Sequence, residues 1–154
     1  MKIKILIITV FCFTVIGACK TNTNEKSADT VLRENIPFNV AKNYFVKNNV
    51  NEGLLTLKIS TQEDFDKYFG MATTMNQKGK PTPIDFSEGY VIAVICETST
   101  KNINITPESL VQDGSKIDFT YQIIEGVKQT YKSRVSLILI VNNKYTDNIN
   151  FIRQ

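Results

Sequence analysis

Apolar and polar residues alternate with different periods along this chain, and each period predicts a different kind of element. From Ile5 to Ile16 the chain is continuously apolar except for Thr9 and Thr14, whereas Lys20 to Asn35 is polar, small and aperiodic. That second stretch has too little apolar surface to offset the entropy of ordering it, so it reads as a tether over 19–36. Period-two patterning then begins. A strand is predicted over Lys42 to Val50, with Tyr44 and Val46 on one face, and a second over Leu54 to Ile59, where Leu55, Leu57 and Ile59 alternate with Thr56 and Lys58. Asn51-Glu52-Gly53 is placed as the turn between them. Residues 61–69 change to helical spacing: Phe65, Tyr68 and Phe69 recur on one face, a Ser60 or Thr61 cap precedes Glu63 and Asp64, and Gly70 follows.

Beyond the helix, Met71 to Pro83 contains Lys78-Gly79-Lys80-Pro81-Thr82-Pro83, a long connection whose prolines forbid helix. Tyr90 to Glu97 is apolar on both faces, as a strand covered on each side must be. Ile103 and Ile105 alternate with asparagines until Pro107 interrupts, Asp113-Gly114 signals a hairpin, and Lys116 to Ile123 places every odd residue inward. Glu125-Gly126 is read as another turn, Tyr131 to Val141 as the last long strand, and Ile149 to Arg153 as the closing one. The expected fold is mainly β (α+β): a small two-layer antiparallel β sandwich-like domain over 37–154, with one short helix packed on it.

The apolar run at the start is too short for a span, which takes about 20 residues. It follows Lys2 and Lys4 and ends in Ile16-Gly17-Ala18-Cys19. These residues resemble the bacterial lipobox, which implies cleavage between Ala18 and Cys19, loss of 1–18, and acylation of Cys19 into a permanent membrane anchor. Lys20, rather than an aspartate, follows the cysteine, and by resemblance to envelope sorting rules this implies a cell-envelope location at the outer membrane. Removing the leader takes two lysines and no acid, so 18 basic residues become 16 against 15 acidic ones. A net charge of +1 gives no support for a nucleic-acid partner.

Cysteine and histidine usage narrows the chemistry further. With Cys12 in the leader and Cys19 acylated, Cys96 is the one thiol left to the domain, and its apolar run reads it as core. The sequence has no histidine, which removes Ser-His-Asp and Cys-His nucleophiles and histidine metal sites. Glu63, Asp64 and Asp66 cluster at the start of the helix, where acids favour the dipole without catalysing anything. Arg134 is expected at a strand end, facing solvent or paired with an acid. No metal or cofactor is implied.

Pro83-Ile84-Asp85-Phe86, Tyr90-Val91-Ile92-Ala93-Val94, the strand Lys116 to Ile123 and Val135 to Ile140 together resemble the C-terminal domain of the protease complex subunit PrcB. The resemblance covers residues 83–141 and implies a small β domain that binds a protein partner. Where that family has a tight loop of a threonine, two glycines and a tyrosine, this chain has Ser99-Thr100-Lys101-Asn102-Ile103. The expected function is a non-catalytic, lipid-anchored envelope module that contacts an envelope or secreted protein through exposed loops. Lys78 and Lys80 in one loop, and Thr100, Lys101 and Asn102 in another, are the candidate contacts. The alternative is an inhibitor or accessory subunit of a secreted protease.

Overall fold

The computed structural model describes residues 33–72 and 79–154. The leader, Ala18, Cys19, the tether as far as residue 32, and Lys78 lie outside the described residues. In chain order the elements are β1 (Arg33–Asn35), β2 (Phe38–Val40), β3 (Tyr44–Val46), β4 (Leu55–Ile59), α1 (Gln62–Tyr68), β5 (Phe69–Met71), β6 (Gly89–Ile95), β7 (Ser99–Asp113), β8 (Lys116–Ser133), β9 (Ser136–Asn142) and β10 (Asn148–Arg153). The fold is mainly β with one short helix, as the patterning predicts.

One four-stranded sheet has the order β1-β7-β8-β10 and the other β2-β9-β6-β4. Between them lies a core in which Ile92, Val94 and Leu139 of the second sheet meet Ile117, Phe119 and Tyr121 of the first. The alternate residues of β6, Val91, Ala93 and Ile95, point to the opposite face and pack with Phe65 and Phe69. Every residue of β6 is therefore buried, which is why its sequence shows no alternation. Helix α1 and the β3–β5 ribbon cover that outer face, and burying Phe65 and Phe69 there stabilises it by roughly 1.5–3 kcal/mol per side chain. Thr61 caps the helix by accepting from the Asp64 amide at 3.1 Å.

Several boundaries differ from those expected. The described part of the fold already includes residues before 37, because β1 pairs with the end of β7 and Ile36 is buried. The expected strand 42–50 shrinks to β3, whose partner is β5 and not β4. Pro107 does not end its strand: β7 runs on to Asp113 with a bulge between Pro107 and Ser109. Glu125-Gly126 is no turn, since β8 continues through it to Ser133. A side chain at Gly126 would lie 3.2 Å from the Asn102 carbonyl oxygen, so that glycine allows close approach of two strands. The break expected before Tyr131 falls instead at Arg134-Val135, between β8 and β9. β10 pairs parallel to β8, the one parallel ladder among the described strands.

Candidate partner-binding site

Thr100, Lys101 and Asn102 form no loop; they lie at the start of β7. β8 covers one edge of that strand, whereas β1 and the Ile36 amide after it cover the other only over residues 110–113. Among the described residues no strand pairs with the outer edge from Ser99 to Pro107, although the Lys101 amide already donates to the Ser99 hydroxyl oxygen at 2.9 Å. The Asn102 carbonyl oxygen lies beside Gly126 of β8, so strand alternation turns the backbone groups of Lys101, Ile103 and Ile105 outward. Pro107 shares that outward side, where its missing N–H removes no ladder bond. The register shifts between Ser99 and Ile103 insert extra residues into β8, leaving β7 regular.

This edge is held firmly at its start. The Glu52 carboxylate accepts from the Thr98 amide at 3.1 Å and the Thr98 hydroxyl at 2.8 Å, and those bonds hold its pKa below the ordinary value. Arg134 is neither free nor paired with an acid. Its guanidinium donates to the carbonyls of Cys96 at 3.0 Å, Val50 at 2.8 Å and Asn51 at 2.5 Å, binding the end of β6 to the turn before β4. Lys101 stands opposite Lys128 in the ladder, a repulsive pairing relieved by the ion pair of Lys101 with Glu125. The hydrogen bond in that pair raises the pKa of Lys101 and lowers that of Glu125.

The other expected contact lies elsewhere. Ala72 donates to the Asn43 carbonyl at 2.9 Å, the Asn43 side chain donates to the Lys80 carbonyl at 2.8 Å, and Thr82 donates to the Lys42 carbonyl at 3.1 Å. Tyr44 adds a hydroxyl bond to the Thr82 carbonyl at 2.7 Å. Both ends of the 72–82 connection are thus fastened to residues 42–44, with the Lys80 side chain exposed. Thr82 and Pro83 then border an open groove of about 630 Å³ at the Gly89 end of β6, whereas β7 begins beyond its Ile95 end. A strand of that length spans about 20 Å, so Lys80 and the Thr100–Asn102 segment do not form one site.

The remaining candidates have structural roles. Asp64 accepts from Lys67 at 2.8 Å and from the Thr61 hydroxyl at 2.8 Å, which lowers its pKa, and Asp66 accepts from Gln62. Cys96 is buried, and burial pushes its thiol pKa up, away from nucleophilic thiolate. Among the described residues no cluster of acids and thiols could hold a metal ion. The groove-lining residues Asn39, Asp85 and Glu88 were not singled out from the sequence, because no local pattern shows which part of a sheet face a helix leaves uncovered.

The fold defines a β sandwich-like α+β domain in which, among the described residues, the outer edge of β7 from Ser99 to Pro107 is left without a strand partner. No family model, curated protein or solved structure matches the chain.

Proposed function

We propose that this chain is a lipid-anchored, non-catalytic module of the cell envelope that captures a protein partner by strand addition to the outer edge of β7. The observation that carries this reading is the uncovered backbone from Ser99 to Pro107, which offers outward donors and acceptors at Ile103 and Ile105 beside Thr100, Lys101 and Asn102. Main-chain bonds supply affinity in this mode, and the side chains flanking the edge supply selectivity. The protease-inhibitor alternative gains nothing from the fold, because the segment corresponding to the inhibitory loop is the start of a strand.

The test uses the full-length chain purified from its native membrane. A photo-crosslinker at exposed Asn102 is expected to trap a partner, and Lys101→Pro to reduce that crosslink more than tenfold without lowering the melting temperature appreciably. Lys80→Ala leaves it unchanged. Equal crosslinking in Lys101→Pro refutes strand addition. Mass spectrometry of the same preparation checks the anchor: an unmodified Cys19, or a retained leader, refutes it.

A further inference from the structure

The second surface is independent of the β7 edge. Beside the neck of the 72–82 connection, the outer face of the second sheet is left uncovered by α1 and the β3–β5 ribbon, and an open groove of about 630 Å³ forms there. Its apolar side-chain lining includes Val40, Pro83 and Ile140, and its charged lining is Asp85 and Glu88, with no basic residue among the lining residues. Asp85 accepts from the Ser87 amide at 2.9 Å and the Ser87 hydroxyl at 2.6 Å, bonds that hold its pKa low and fix the carboxylate at the rim. Among the described residues the Glu88 side chain, which is exposed, has no hydrogen-bond or ion-pair partner. β2 is the outermost strand of its sheet, and nothing among the described residues covers its outer edge.

We infer that this groove docks an extended protein segment carrying lysine or arginine between apolar residues. Apolar side chains of the segment rest against Ile140, Pro83 and the exposed Val40, while its cations face Asp85 and Glu88. Charge complementarity selects this occupant over an acidic segment, whose carboxylates would meet two like charges without a counterion.

The probe is a capped heptapeptide of alternating lysine and valine, titrated into the full-length chain in detergent micelles and followed by amide chemical shifts. Saturable shifts are expected at Asn39, Val40, Gly89 and Asn142. Glu88→Lys weakens the affinity about tenfold, Asn39→Trp fills the floor and abolishes binding, and Lys101→Pro leaves it unchanged. A counterpart peptide with glutamate for lysine does not bind. The inference is overturned if no amide shift saturates, if the shifts fall on β7, or if n-butylamine matches the peptide, which would mark a small-amine pocket. Because the β7 variant and the groove variants are read separately, failure of one reading leaves the other standing.

Discussion

Tyr90 projects from β6 into the core between the two sheets and is 2% exposed. Its hydroxyl is buried with no hydrogen-bond partner among the described residues. Lys58 Nζ sits 4.6 Å above the ring and spends its hydrogen bonds on the carbonyls of Thr146 and Asp147. Burial, with the nearby Asp147 charge adding to it, pushes the Tyr90 pKa up from 10.0 to about 12. Two consequences follow from one atom. At neutral pH the orphaned hydroxyl is a desolvation cost, so Tyr90→Phe, which keeps the ring under Lys58, is expected to stabilise the domain by about 1 kcal/mol. Above pH 10 the unfolded tyrosine loses its proton while the folded one keeps it, so stability falls as pH rises through the window between the two values. Linkage over that window gives a loss of about 1.4 kcal/mol at pH 11, which the phenylalanine variant lacks. Urea unfolding of both proteins from pH 7 to pH 11 measures the difference directly, and other tyrosines and lysines cancel in it. A gap between the two curves that stays constant across that range, or a variant less stable than its parent at pH 7, refutes the reasoning.

Two further substitutions test how the β7 edge and the groove are held. Arg134→Met removes the donor serving the carbonyls of Cys96, Val50 and Asn51; it is expected to destabilise by roughly 2–4 kcal/mol in urea unfolding, with faster amide exchange over residues 96–99. A loss below about 0.5 kcal/mol would show the clamp to be idle. Gly89→Ala places a methyl group 2.7 Å from the Val141 carbonyl oxygen, a backbone atom in a central ladder, and is expected to cost about 1–3 kcal/mol by the same assay, with near-zero loss as the contrary result.

The inward faces of these sheets were legible in the sequence because burial imposes a period. The odd residues of Lys116 to Ile123 point into the core as expected, and the two-faced burial of β6 matches its unbroken apolar run. Breaks in strands were less legible, because glycine and proline have more than one use. Gly126 serves close strand approach within β8, and Pro107 lies on an edge where its missing N–H is harmless. Arg134 looked like a solvent-facing or acid-paired cation because the sequence does not show which carbonyls three distant segments bring together. The candidate contacts Thr100, Lys101 and Asn102 were expected in an exposed loop, and their position on a strand edge is a property of tertiary pairing alone.

Exposed sheet edges invite unwanted pairing, and several other edges of this domain are blunted in a recognisable way. β2 and β1 are three residues long, and β4 carries Lys58, which bends across to carbonyls of the 146–147 turn. β10 covers β8 as far as Tyr121, and beyond that point β8 is bulged and carries Lys128 and Lys132. The outer edge of β7 from Ser99 to Pro107 has none of these devices until its final proline. Its single charge, Lys101, is neutralised by Glu125, and its irregularities fall on the neighbouring strand. A fold that shortens or blunts β1, β2, β4 and the far part of β8 but leaves β7 bare from Ser99 to Pro107 retains a pairing surface at the risk of self-association, and the proposed capture of a partner strand is a use that would offset that risk.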